Sequence, residues 1–257
     1  MIQKVIEKLH KADLVLIGIG EEMDLTGRLK NDPKYQRVIS QLHNKQLIPF
    51  VERAMLEQKK TELLEELMLL AGCLENKNYF IVSTSLDGLI EDAGFKEKRV
   101  VQPCGNYKQL QCVSGCCEQL FCVPEDFQEK VEAYLQGKVS ESELELPVCP
   151  QCGQPLVFNN VKAEHYVEAG YLGLWNLYTK WLQGTLNKDL CVLELGVGMK
   201  YPTVIRWPFE KVTFLNQKAE MFRVHSRLYQ ISEEISERAY GIHQEPWDFV
   251  KELSNGY

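Results

Sequence analysis

Residues 104–152 constrain this chain more than any other stretch, because they carry seven of its nine cysteines in short clusters. Cys112 and Cys116 stand in "CVSGC", and Cys149 and Cys152 stand in "CPQCG". Two short cysteine pairs separated by a polar insert suit a tetrahedral structural zinc site, since each knuckle sets two thiolates on one side of the ion. In the second knuckle Pro150 and Gly153 supply a tight turn that lets backbone amides approach the sulfurs. In the first, Cys117 and Cys122 are rival ligands. The plainer alternative is a set of reduced, buried thiols, because free cysteine is among the most buried residue types. The expectation is a zinc ion held by Cys112, Cys116, Cys149 and Cys152.

No apolar run approaches the length of a membrane span, and the opening "MIQKVIEKLHKADLVLIG" lacks an export-signal pattern. Clustered cysteines without an export signal imply a reducing cytoplasm and a metal rather than disulfides. A net charge of −7 excludes the exposed basic stripe that nucleic-acid binding needs. A length of 257 residues is enough for one large core and a small satellite module.

Ile2, Val5, Ile6 and Leu9 repeat at helical spacing. Ala12–Ile19 is a continuous apolar run ending in Gly-Ile-Gly, which reads as a strand buried on both faces of a parallel sheet. A strand that ends in glycine before a helix is where open α/β sheets bind phosphate, although Gly-x-Gly alone is also an ordinary tight turn. Residues 21–75 read as mostly helical, with "FVERAMLEQKKTELLEELMLLAG" amphipathic and Gly72 a C-cap. Strands are expected at 79–84, 99–102, 189–197 and 211–216. Helices are expected at 124–135, at 167–186 and over the C-terminus, which contains His225 and His243. In the helix at 167–186, Tyr171, Trp175, Tyr178 and Trp181 read as core packing. Strands alternating with helices make a doubly wound parallel (Rossmann-like) α/β sheet. That assigns residues 1–103 and 163–257 to the sheet, with a helical layer over 21–75, and 104–162 to an inserted zinc-ribbon module.

The order of these features resembles the sirtuin family. The resemblance rests on a strand ending in Gly-x-Gly, a helical excursion, "STSLDGLIEDAGF", a short strand and a four-cysteine module. It is closest to the macrodomain-linked class, through "GYLGLWNLYTKWLQGTLNKDLCVLELGVGMKYPTVIRWPFE" and "CGNYKQLQC", and it covers essentially the whole chain. It implies an NAD-using fold. Typical sirtuins move an acyl group from lysine to the ADP-ribose of NAD, whereas the macrodomain-linked class is associated with ADP-ribosylation of a protein, notably a lipoyl-carrying one. By resemblance, Gly18 and Gly20 flank the pyrophosphate and Asp87 holds the nicotinamide carboxamide. Gly196 and Gly198 let the backbone approach the adenosine, and Asn216 bonds its ribose.

The sequence departs from the family where the chemistry lies. The family's base is a His followed by Gly, and here the pair is Cys104-Gly105. A thiol with an ordinary pKa of about 8.5 is a poorer base than a neutral imidazole. That loss tells against deacylation more than against ADP-ribosyl transfer, because the macrodomain-linked class also lacks the His. Thr84-Ser85 stands where the family has Gln-Asn before the nicotinamide Asp. Glu21 and Glu22 follow the first glycine turn, where carboxylates would repel a phosphate unless they turn to solvent, and Arg28 is the nearest residue to offset them.

The reading is an NAD-dependent protein-modifying enzyme with Cys104, Ser85 and Asn106 at the reacting end. It favours protein ADP-ribosylation over lysine deacylation. The alternative is an inactive scaffold that binds a nucleotide or a protein.

Overall fold

The computed structural model describes residues 1–96 and 98–257. Helix α1 (Ile2–Lys11) leads into strand β1 (Leu14–Ile19). A single turn at Glu21–Met23 opens a run of helices: α2 (Leu25–Leu29), α3 (Pro33–Gln41), α4 (Ile48–Gln58), α5 (Lys60–Leu63) and α6 (Glu65–Leu74). Strands β2 (Asn78–Ser83) and β3 (Val100–Val101) follow. The cysteine-rich segment holds β4 (Gly105–Cys112), β5 (Phe121–Cys122), α7 (Glu125–Leu135) and β6 (Leu156–Asn160). The chain closes with α8 (Ala169–Gln183), β7 (Leu190–Leu195), α9 (Arg206–Leu215), β8 (Ala219–His225), β9 (Ala239–His243) and α10 (Pro246–Gly256).

All six residues of β1 are buried, as are all six of β7. Only a strand covered by helices on both faces tolerates that pattern. The large sheet is parallel with strand order β3-β2-β1-β7-β8-β9. Successive side chains alternate between two apolar layers. Val15, Ile17 and Ile19 pack with helices α1, α6 and α10, while Leu14 and Leu16 pack with Tyr178 of α8 and Phe209 of α9. At roughly 25 cal/mol per Å² of apolar surface removed from water, these two layers are the main stabilising force on the sheet. Tyr171, Trp175 and Trp181 lean on the second layer beside buried Tyr178, so the aromatic stripe is core packing.

The small sheet, β5-β4-β6, is antiparallel. Phe50 of α4, Phe127 of α7 and Phe158 of β6 interlock beneath it. Those residues share one continuous apolar cluster with β1 and β7.

Two expectations about the C-terminal third fail. Residues 211–215 belong to α9 and Asn216 is its C-cap, so the segment is not a strand. Val, Thr and Phe favour strands, but Arg206, Phe209 and Thr213 are buried at helical spacing, so packing overrides propensity. His225 and His243 lie outside any helix and end the parallel strands β8 and β9, where they sit opposite each other.

Strand β1 connects outward to β2 on one side, and the later chain returns as β7 on its other side. The strand order reverses between β1 and β7. In open α/β sheets the crevice at the carboxyl ends of such a pair is where ligands bind.

Candidate functional site

Four thiols converge at the tip of the small lobe. The Cys112 and Cys152 sulfurs stand 3.4 Å apart, Cys116 and Cys112 3.5 Å, and Cys116 and Cys149 3.6 Å. All four lie within 4.8 Å of one another. Sulfurs bound at 2.3 Å to one tetrahedral ion would stand about 3.8 Å apart, so the nest fits that geometry. Its turns are local: the Gly115 N–H donates to Cys112 O and the Gly153 N–H to Cys149 O. Cys116, not Cys117, joins this cluster, since Cys117 packs against the apolar core. His165 lies outside the nest. Ser114 and neighbouring backbone amides draw the Cys112 thiol down to about 6, while the surrounding thiols push Cys116 up. Four sulfurs this close cannot all ionise without a cation between them.

The crevice at the ends of β1 and β7 is formed by two glycine turns, and its four expected glycines have distinct tasks. A side chain at Gly18 would come within 2.5 Å of Ile205, so this glycine admits the approach to α9 rather than a phosphate. One at Gly20 would come within 2.3 Å of the Gly196 oxygen, so here two loops touch through bare backbone. Gly196 has φ +64°, a left-handed conformation that glycine adopts without strain. Gly198 faces a carboxylate: its N–H donates to Glu21 Oε2 at 2.8 Å.

Glu21 and Glu22 do not turn to solvent. Glu22 Oε2 accepts from the Ser226 N–H at 3.1 Å, and Oε1 accepts from the Ser226 hydroxyl. His225 Nδ1 lies 3.1 Å from Glu22 Oε2 but accepts N–H bonds from Arg227 and Leu228, so its lone pair faces donors and the contact is not an ion pair at neutral pH. Burial, the largest influence on this ring, also holds its pKa below the usual value. The Glu21–Met23 turn is tied down further. The Gly20 N–H donates to Leu195 O, the Glu22 N–H to Gly196 O, and Trp247 Nε1 of α10 to Glu22 O. Arg28 is spent elsewhere, paired through both nitrogens with Glu66 and stacked on Trp247.

Two residues expected at the cofactor are committed to other bonds. Asn216 caps the C-terminus of α9, and its amide donates to Thr185 O and Lys188 O below the start of β7. That is the opposite end of β7 from Gly196, with the Asn216 amide bonded there. Ser226, which follows β8, stands at the same end of the sheet as Gly196. The misplacement follows directly from reading α9 as a strand.

Asp87 is buried, and both its oxygens are taken. Oδ1 accepts from the Leu89 N–H, and Oδ2 accepts from the Leu25 N–H and the Ser85 hydroxyl. Burial, reinforced by Asp24, lifts its pKa to about 6. Asp24 returns the clasp by accepting from the Leu86 N–H. Asn106 donates to Gln102 Oε1, and Gln102 donates to Ser85 O, so Ser85 and Asn106 are linked through one glutamine. Cys104 is 1% exposed. Burial, then the Glu21 carboxylate, raise its thiol to about 12. Beside these groups, at the carboxyl end of β2, the Thr84 hydroxyl is buried with no hydrogen-bond partner among the described residues.

The four cysteines expected from their spacing stand together, and Ser85, Asp87 and Asn106 are joined in one hydrogen-bonded group. Sequence reasoning missed Ser226, His225 and Trp247, which carry no motif. The signal for Ser226 was the apolar run before "VHS", overlooked because the preceding segment was read as the strand.

No protein-family model matches the chain. In sequence it is 27% identical over 173 residues to a protein ADP-ribosyltransferase of Staphylococcus aureus strain Mu50, covering 66% of this chain and 54% of that protein. It is 28% identical over 153 residues to a probable bifunctional ADP-ribose hydrolase/ADP-ribosyltransferase of Fusarium oxysporum, covering 56% of this chain and 25% of that one. The matches therefore span about half of the first relative's length and a quarter of the second's. Among solved structures, it is similar to Sir2Tm bound to a propionylated peptide (TM-score 0.55, 15% identity, 99% of this chain and 98% of that one). It is also similar to a mutant Sir2 homologue in complex with ADP-ribose (TM-score 0.56, 12% identity, 100% and 96%). A complex of Sir2 with a peptide and NAD+ gives a TM-score of 0.55 at 14% identity, over 100% and 98% of the two chains. The fold of this chain is the sirtuin fold.

Proposed function

We propose that this chain is an NAD-dependent enzyme that transfers ADP-ribose to a protein rather than removing acyl groups from lysine. The likeness to curated ADP-ribosyltransferases sets the class of reaction. Cys104 is the observation that carries the choice against deacylation. A thiol raised to about 12 stays protonated at neutral pH and cannot serve as the base that deacylation requires. Cys104, Ser85 and Asn106 line the reacting end in this reading, with Asp87 positioning the loops around it. The unpartnered Thr84 hydroxyl fits a ligand there, because a buried polar atom left unbonded costs about 1–3 kcal/mol.

In this reading Gly18 and Gly20 lie at the pyrophosphate, Gly196 and Gly198 lie at the adenosine, and Ser226 takes the place expected of Asn216. A dinucleotide does not fit this half as it stands, since Glu21 and Glu22 hold its donors.

The substrate is a protein, and a lipoyl-carrier protein is the first to try. The thiol nest holds a structural zinc through Cys112, Cys116, Cys149 and Cys152, pinning a module of residues 104–162 to a sheet lobe of 1–103 and 163–257. Nine unpaired thiols suit a reducing cytoplasm. Among the described residues no helix is long and apolar enough to cross a membrane.

Incubation with labelled NAD and a lipoyl-carrier protein should place label on the carrier, and Asp87→Ala should abolish it. Label absent from every protein tested, with NAD still bound, would leave the inactive scaffold as the better reading. Nicotinamide release coupled to loss of an acyl group would point back to deacylation.

A further inference from the structure

On the reading that the crevice takes NAD, we propose that Glu21 and Glu22 are an intramolecular latch. The resting chain fills its own anion site, and a dinucleotide binds only by displacing both carboxylates.

The donors are already arranged for an anion. The Gly198 N–H, the Ser226 N–H and the Ser226 hydroxyl converge on acceptor oxygens at the carboxyl ends of β7 and β8, beside the reversal of strand order. Backbone amides at such strand ends form concavities that bind phosphate oxygens. Here carboxylate oxygens occupy them. Charge-assisted bonds of this kind are the strong class, so an incoming phosphate competes with acceptors that are tethered and already in place.

The latch is also mechanical. Gly20 lies against the Gly196 and Val197 backbone, which leaves no room between the two glycine turns. The Glu21–Met23 turn is anchored to β7 through Gly196 O and to α10 through Trp247. The neighbouring charges do not bind either carboxylate. His225 is neutral, and Arg28 is bound to Glu66. The Arg206 guanidinium is held by the carbonyls of Val197, Leu228 and Gln230.

Calorimetric titration of the full chain with NAD and with ADP-ribose tests this, comparing the wild type with the double variant Glu21→Ser, Glu22→Ser. Removing two carboxylates from beside a phosphate should tighten binding by about tenfold or more. Measurable wild-type binding that is unchanged or weaker in the variant overturns the latch and leaves the cofactor assignment standing. No binding of either nucleotide, to the wild type or to a folded variant, overturns the cofactor assignment itself.

Should the serine variant not fold, Glu21→Gln with Glu22→Gln keeps the acceptors, removes the charge and is read the same way. Independently, saturating ADP-ribose should shift the NMR amide signals of Gly198 and Ser226 in the wild type. Signals that stay in place while nucleotide binds elsewhere would sink the proposal.

Discussion

The thiol nest and the strand-end crevice both gather acidic groups, and they differ in how those groups are satisfied. At the nest, four sulfurs crowd within 4.8 Å, with one another and the Ser114 hydroxyl among their side-chain partners. At the crevice, each carboxylate meets donors from the protein itself, at 2.8 Å for Glu21 and 3.1 Å for Glu22. The first arrangement is one that a cation would complete. The second is complete, so a ligand must compete for it. One site leaves its acidic groups facing one another, and the other supplies its carboxylates with donors from the chain.

The sharpest way to break this contrast is Cys149→Ser. Structural zinc in small modules contributes on the order of 10–16 kcal/mol, comparable with the whole stability of a domain. Elemental analysis should find about one zinc per wild-type chain and far less in the variant. The melting temperature should fall by roughly 10 °C or more, at about 2–4 °C per kcal/mol. A folded wild type without metal would show that the nest is satisfied in some other way, and the contrast would vanish.

Next in size is Arg223→Met, beneath the self-satisfied site. Arg223 and Glu194 are both fully buried and joined across β8 and β7, with Arg223 also bonding Gln230 O in the loop beyond Ser226. Removing the cation strands a buried carboxylate, at a cost of about 3–5 kcal/mol. Adding Glu194→Leu should recover most of that loss in chemical denaturation. If the double variant is no better than the single, the pair is not the unit that holds this edge of the sheet.

The same contrast explains what could be read from the sequence. Cys112 with Cys116, and Cys149 with Cys152, are each set by one tight turn, so spacing alone announces them. β1 and β7 were equally legible, because burial on both faces writes an unbroken apolar run. The contacts of the crevice join residues 177 and 204 positions apart, and no local pattern encodes them. Sequence alone could say that Glu21 and Glu22 stood where a phosphate might lie, but not that Gly198 and Ser226 would receive them. The misreading of 211–216 shows the same limit: Val212 and Phe214 favour a strand locally, and only packing on the sheet makes them helical.

A pH series on Asp87→Asn separates the two kinds of satisfaction. Asp87 has every oxygen bonded, yet burial and then Asp24 lift its pKa to about 6, from 3.8 in an unfolded chain. The folded state therefore holds a proton that the unfolded state has lost. That stabilising contribution is full below about pH 4 and disappears as pH rises through about 6. Asparagine cannot ionise, so stability measured relative to wild type should shift in the variant's favour by up to ~3 kcal/mol between pH 4 and 7, at about 1.4 kcal/mol per unit. A difference that is flat with pH would mean Asp87 titrates normally and its bonds outweigh its burial.

The smallest effect should come from Trp247→Phe, which leaves an aromatic ring over Arg28 and removes one neutral hydrogen bond, from Nε1 to Glu22 O at 3.1 Å. Such a bond contributes about 0.5–1.5 kcal/mol. The global loss should be of that order, while local exchange of the Glu22 amide, bonded to Gly196 O, should quicken if α10 helps hold the turn closed. Unchanged exchange at Glu22 alongside a full loss of global stability would show that Trp247 serves the core rather than the turn. The carboxylates would then hold the crevice shut without help from α10.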